Sequence, residues 1–302
     1  MMLWMVFSIA VLGMLALDLG LFNRRPHAIA LREALAWSAV WIALGLAFGL
    51  LIAFSAEGGW RRAQAYLACY LTEKSLSVDN LFVFLVIFKY FGVREEQQHR
   101  VLFWGILGAL VLRALFIWLG VRLLERFEWM TFVLGAVLIL TGLRLAFERQ
   151  QEYDPSRSPL LRICRRLLPV SLGPAQGRFF VREEGRLLAT TLFLALVVVE
   201  GTDVVFALDS VPAALAISTD PFVVYTSNVM AILGLRALYF ALAGMLGRLR
   251  YLHYGLALVL VFVGVKMLLA HTVEITVGTS LGVVATILVA SLLASLVRGR
   301  GA

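Results

Sequence analysis

Apolar runs of membrane-crossing length, separated by short polar breaks, fill almost the whole chain. Nine can be marked, at residues 3–21, 35–54, 65–91, 101–121, 128–147, 188–218, 222–246, 253–270 and 276–297. A bilayer span needs about 20 mainly apolar residues. The run 188–218 is long enough to be a broken helix, and 276–297 has little polar content. The first run does not read as a cleavable signal peptide, because such a peptide starts with positive charge. No Lys or Arg precedes Arg24, and the run leads into Asp18 and then Asn23-Arg24-Arg25.

Composition agrees with this pattern. Of 302 residues, 61% are hydrophobic and only 15% charged, where a soluble domain carries about 25% charged residues. The placement of charge predicts orientation. Counting Lys and Arg in alternate loops gives 18 on one side and 4 on the other. The poor side holds Arg61, Arg62, Arg122 and Arg126; the rich side holds, among others, Arg94, Arg100 and eight arginines between 148 and 187. The N-terminus is therefore expected outside and the C-terminus in the cytoplasm, in a bacterial inner membrane. The net charge of +8 reads as topology, and no nucleic-acid partner is expected. The loop 148–187, with Pro155, Pro159, Pro169 and Pro174, reads as a cytoplasmic linker with a short surface helix around 160–168. Its alternating arginine and leucine could rest on anionic lipid or be simply solvated. Cys69 and Cys164 fall on opposite faces of the membrane, too far apart for a disulfide. His27, His99, His253 and His271 lie at run ends or in loops, with no pair placed for haem or zinc.

The chain repeats itself. Thr72-Glu73-Lys74-Ser75-Leu76-Ser77-Val78-Asp79-Asn80 resembles Thr202-Asp203-Val204-Val205-Phe206-Ala207-Leu208-Asp209-Ser210. Leu112-Arg113-Ala114-Leu115-Phe116 answers Leu235-Arg236-Ala237-Leu238-Tyr239, and Thr141-Gly142-Leu143-Arg144 answers Val263-Gly264-Val265-Lys266. The offsets are 130, 123 and 122 residues, so order and spacing are both kept. Each unit holds three runs, an odd number, so the second enters the membrane from the opposite side. The sequence thus predicts an all-α integral membrane protein of about nine transmembrane helices with two inverted three-helix repeats. Residues 1–64 hold helices 1 and 2, 65–147 repeat A, 148–187 the linker, 188–270 repeat B, and 271–302 the last helix and tail. Inverted repeats are typical of secondary transporters, with the substrate site near the midplane.

Six acids fall within the runs, Asp18, Glu73, Asp79, Glu200, Asp203 and Asp209, and, leaving Lys89 to the loop flank, five bases, Lys74, Arg113, Arg144, Arg236 and Lys266. Each charge at the bilayer centre costs at least about 2.5–3.5 kcal/mol, so this number calls for a purpose. Arg144 and Lys266 can snorkel from near the run ends. Arg113 and Arg236 lie deeper and are expected to neutralise acids across the bundle. On a regular helix Glu73 and Asp79 stand about 120° apart and about 9 Å apart in rise, as do Asp203 and Asp209. Either they are successive stations on a path, or the helix unwinds between them; Gly201 and Pro212 make a break in the second motif plausible. Thr72, Thr202, Asn80 and Asn228, with Thr226 and Ser227, add oxygen groups. Carboxylates, amides and hydroxyls are hard donors suited to Mg, Ca or Mn. A proton relay through the same acids, or internal salt bridging alone, are the other readings.

The stretches YLTEKSLSVDNLFVFLVIFKYF, HRVLFWGILGALVLRALF, VVVEGTDVVFALDSVPAALAISTDPFVVYTSNVMAILGLRALYF and YGLALVLVFVGVKMLL resemble the TerC family of integral membrane proteins, as does DLGLFNRRPHAIALREALAWSAVW. That family includes tellurium-resistance proteins and a pH-responsive Alx subgroup, and is linked to manganese export and a LysE-like transporter superfamily. The resemblance implies Mn²⁺ as the transported ion and Glu73, Asp79, Asp203 and Asp209 as the membrane acids that meet it. Asn80 and Asn228 join them as candidate ligands, with Glu200, Asp18, Arg113, Arg236, Thr72 and Thr202 in support. The expected function is manganese export by alternating access, with no resident cofactor and no enzymatic chemistry. The alternatives are a non-transporting scaffold in tellurium, metal or alkaline stress, and an intramembrane aspartyl protease. Duplicated acid pairs with matched arginines exceed what a protease dyad needs. Homo-oligomers stay open.

Overall fold

In the computed structural model the described residues are 2–22, 31–55, 59–127, 129–147, 159–167, 169–171, 177–183, 185–243, 252–269, 272 and 275–298. The apolar runs become helices: α1 (Met2–Phe22), α2 (Leu31–Phe54), α3 (Trp60–Tyr90), α4 (Glu95–Arg126) and α5 (Met130–Phe147). After a short helix α6 (Pro159–Leu167) and two strands, β1 (Phe180–Glu183) and β2 (Arg186–Ala189), come α7 (Thr191–Ile217), α8 (Pro221–Leu233), α9 (Leu235–Ala243), α10 (Leu252–Leu268) and α11 (Val277–Arg298).

Local signals fix several ends. Helix α3 closes in a Schellman motif. Gly92 takes the left-handed conformation at φ +61°, and the Val93 N–H donates to Phe88 O at 2.9 Å. Thr190 caps α7 by accepting from the Phe193 N–H, and Asp220 caps α8 by accepting from the Phe222 N–H with Pro221 in the first turn.

Among the described residues, five helices are long and apolar enough to cross a bilayer: α2, α4, α5, α7 and residues 278–295 of α11. The pair α8–α9, bent by 43°, makes a sixth if it is one span. Helix α3 falls outside that group because Arg61, Arg62, Glu73, Lys74, Asp79 and Lys89 ride on it. The apolar parts of α1 and α10 are shorter, Met2–Leu15 and Tyr254–Leu268. Apolar side chains cover the outside, with Val111 71%, Ile9 70% and Leu140 66% exposed. Exposed aromatics, including Trp60, Trp118, Trp129 and Phe147, stand among them, as at membrane interfaces.

The centre is a bundle in which α3 and α4 each pack against α7 and α8. Helix α2 covers α3 and α9, α1 leans on α8, and α11 lies against α3 and α10. Helices α5 and α10 form a pair packed against α7. Their contact is reciprocal. A Cβ on Gly142 would lie 2.8 Å from Ala257 O and 2.8 Å from Val261 Cγ2; a Cβ on Gly264 would lie 2.8 Å from Gly135 O and 2.8 Å from Ile139 Cγ1. Gly264, Ala257 and Val261 each stand 122 residues after Gly142, Gly135 and Ile139. The two helices therefore run antiparallel, and each offers the other the same surface.

Three expectations need correction. The run 188–218 does not break: α7 continues through Gly201, and Pro212 sits inside it. The break falls instead between α8 and α9, at Gly234. A Cβ there would lie 2.8 Å from Trp41 Cβ and 2.9 Å from Lys74 Nζ, and Lys74 Nζ donates to Ala231 O at 2.9 Å. A neighbouring ammonium thus satisfies a carbonyl at the bend. The fold is also not wholly α. In the linker, β1 and β2 form an antiparallel hairpin with Glu183 paired to Arg186 across a turn holding Gly185 at φ +79°. Helix α6 lies where the surface helix is expected, but the linker is not simply solvated. Leu161 is 2% exposed and α6 packs on α7. The hairpin side is tied down too: Arg100 Nη1 donates to Gly177 O and its guanidinium lies 5.4 Å from the Phe179 ring centroid.

Candidate functional site

Four central helices bring polar side chains to one buried point. Helix α4 contributes Arg113, α3 Glu73, α7 Asp203 and Ser210, and α8 Asn228. Arg113 Nη1 donates to Glu73 Oε1, to Ser210 Oγ at 2.9 Å and to Asn228 Oδ1 at 3.3 Å. Its Nη2 donates to Asp203 Oδ1 at 3.2 Å. Arg113 and Glu73 are each 1% exposed. Glu73 and Asp203 hold equivalent places in the two similar segments, so the guanidinium bridges the halves of the internal likeness.

The cluster is unevenly satisfied. Glu73 Oε2, Asp203 Oδ2, Thr72 Oγ1, Asn228 Nδ2 and Arg113 Nε are buried without a hydrogen-bond partner. Buried polar atoms are nearly always paired, so such a concentration marks a place for a polar guest. Two carboxylate oxygens are hard donors suited to a divalent cation. Among the described residues no group of three or more His, Cys, Asp or Glu side chains gathers. Any cation held here would therefore rest on two carboxylates supplemented by neutral oxygens.

The other candidates are scattered. Asp209 faces α5, where it accepts from Thr141 Oγ1 at 3.0 Å. Because α7 does not unwind, it stays off the Arg113 point. Glu200 lies against α4, its carboxylate touching the space beside Gly108. Thr202 Oγ1 donates to Val199 O at 2.7 Å, and Thr226 and Ser227 likewise bond within α8. Asn80 is buried on α3, and Arg236 is buried on α9 just past the bend. The side chains of Asp18 and Asp79 lie outside the described residues, although α1 and α3 run through both positions. Sequence reasoning missed Ser210 as a site residue. Its signal was present, because it occupies in the second motif the place of Asn80 in the first.

The two ends of the bundle differ. At one, Arg62 Nε meets Asp220 Oδ2 at 2.6 Å and its guanidinium stacks 5.0 Å from the Phe222 ring centroid. At the other, Arg100 holds the linker, and Tyr239 Oη donates to Gln98 Oε1 at 3.0 Å. A cavity of about 480 Å³ lies toward the Asp220 end, between α4, α5, α7 and α10, lined by Val121, Glu125, Thr131, Leu215 and Lys266.

The model of the Integral membrane protein TerC family matches residues 58–301. The chain belongs to the TerC family. Its match takes in α3 to α11, and with them every residue of the Arg113 cluster. An uncharacterized membrane protein of Myxococcus xanthus is 48% identical to this TerC-family chain, over 99% of the chain and 93% of its own length. The "Putative membrane-bound redox modulator Alx" of Escherichia coli K12 is 46% identical over 95% of the chain and 92% of its own length. An uncharacterized membrane protein of Rickettsia bellii is 36% identical over 98% of each. No solved structure matches.

Proposed function

We propose that this TerC-family protein is a divalent-cation transporter, exporting manganese from the cytoplasm by alternating access between two inverted repeats. The observation that carries the reading is the pair of buried acids, Glu73 and Asp203. They come from equivalent positions of the two similar segments, and each keeps one unpartnered carboxylate oxygen. Arginine pairs frequently engage both oxygens of a carboxylate, and here each acid lends Arg113 only one. Manganese is the choice that the family resemblance favours; the donor set itself is shared by Mg, Ca and Mn.

The inverted-repeat reading draws support from the α5–α10 contact. Reciprocal contact between antiparallel helices is what a two-fold axis across them would produce, an axis in the membrane plane if both helices cross the bilayer. That is the symmetry of a carrier whose halves face opposite sides. Nine spans follow if α1, α3 and α10 cross as well, and if α8 with α9 counts as one. The Arg62–Asp220 end is then outside and the linker end cytoplasmic, in an inner membrane. Asp209, with Asp79 at its counterpart position, reads as a second station on the path.

The test is flux. Purified protein in proteoliposomes containing a manganese-quenched dye is expected to pass Mn²⁺. Glu73→Gln and Asp203→Asn are expected to abolish it while inserting normally. Wild-type flux in both variants, or no flux in the parent protein, would sink the proposal and favour a membrane scaffold.

A further inference from the structure

The Arg113 cluster departs from the fork geometry that arginine favours. Arginine frequently meets a carboxylate through two parallel N–H···O bonds. Here each acid lends a single oxygen, Glu73 through Oε1 and Asp203 through Oδ1. Arg113 Nε has no partner although the residue is 1% exposed. The charges are also unequal, since two carboxylates share one guanidinium. With both acids ionised, the site is matched to two positive charges and holds one.

We propose that Arg113 is a tethered surrogate for the transported ion. Its guanidinium holds Glu73 and Asp203 together when the carrier is empty, and leaves both when a divalent cation takes those oxygens. This rests on the reading of the chain as a divalent-cation carrier. Two facing carboxylates in a low-dielectric interior repel strongly, so an emptied site with no counter-charge could not close and return. The guanidinium removes that obstacle. Ser210 Oγ and Asn228 Oδ1, at 2.9 and 3.3 Å from Nη1, stay available to it when the acids are taken. The donors thus divide: carboxylates for the ion, Ser210 and Asn228 for the arginine. Competition between ion and guanidinium lowers affinity, which eases release on the far side.

The experiment compares the parent protein with Arg113→Gln and Arg113→Lys in detergent. Mn²⁺ binding is read from the electron paramagnetic resonance signal of the free ion, and stability from the thermal midpoint with and without Mn²⁺. Arg113→Gln, freed of its competitor, is expected to bind Mn²⁺ at least about tenfold tighter. Its midpoint should rise far more with Mn²⁺ than the parent's. Arg113→Lys, which keeps the charge but reaches only one carboxylate, should fall between, and it serves if the glutamine variant does not fold. In Arg113→Ala, millimolar free guanidinium should compete with Mn²⁺, and in the parent it should not. Equal or weaker binding in Arg113→Gln and Arg113→Lys, beside a binding parent, overturns the surrogate role and leaves the carrier reading standing. No Mn²⁺ binding in the parent or in any variant overturns both.

Discussion

Arg113 draws its partners from three helices other than its own, so its loss is felt across the bundle. Truncation leaves Glu73 and Asp203 buried with no counter-charge, and breaking a buried pair in this way costs about 3–5 kcal/mol. Arg113→Gln is therefore expected to lower the thermal midpoint in metal-free detergent much more than Glu73→Gln, which leaves one acid with one base. Scanning fluorimetry of the two variants decides it, and equal losses would mean that charge balance does not hold the site together. Asp209 is a different case. Its bond to Thr141 Oγ1 survives in Asp209→Asn, because the amide oxygen still accepts. That variant should keep its stability within about 1 kcal/mol and lose flux if the residue is a station for the ion; parental flux would remove it from the path. Glu73, Asp203 and Arg113 could be found in the sequence because intramembrane charge is costly wherever it stands. The separation of Asp209 from them was foreshadowed by helix geometry, since six residues on a regular helix turn a side chain by about 120°. The bond from Lys74 to the α8–α9 bend could not be read, because it depends on how α3 meets α8.

Helices α5 and α10 touch backbone to backbone, and this gives a symmetric expectation. Gly142→Ala and Gly264→Ala each push a methyl to 2.8 Å from a carbonyl oxygen of the partner helix. Overpacking of this kind costs about 1–3 kcal/mol. The two variants should lose stability by similar amounts, while Gly13→Ala and Gly282→Ala, with nothing within 4 Å of the added carbon, should be neutral or slightly stabilising. Unequal losses at Gly142 and Gly264 would break the two-fold reading. Most elements were legible because a helix in lipid must be mainly apolar over the bilayer's thickness. Even α6 showed in the spacing of leucine and arginine. The hairpin was not, because Phe180–Ala189 is short and lies against the α7 run, whose hydrophobicity hid the second strand. The break that the sequence makes plausible in the run 188–218 occurs in the next run. Pro212 signals it, but neighbouring helices can absorb a lost backbone bond, whereas Gly234 bends where Trp41 crowds it and Lys74 answers a carbonyl.

At the scale of the whole molecule, the contacts sort the start of α1 and several loops into two groups. Arg62, Asp220 and Trp4, whose ring lies 5.0 Å from that of Phe222, share one end; Arg100 and the linker share the other. Reporters fused after Arg166 and at Asp220 are therefore expected on opposite sides of the membrane, the first cytoplasmic; a shared side would break the proposed orientation. The antiparallel α5–α10 pair has one more consequence, in electrical terms. A helix carries a macrodipole worth roughly half a charge at each end, and a membrane potential acts on moving charge at about 2.3 kcal/mol per charge per 100 mV. Side by side and opposed, these two dipoles cancel. The pair can tilt or slide without presenting a net lever to the field, so in the proposed carrier the voltage across the membrane would act on the ion itself and on the charged side chains that trade places with it.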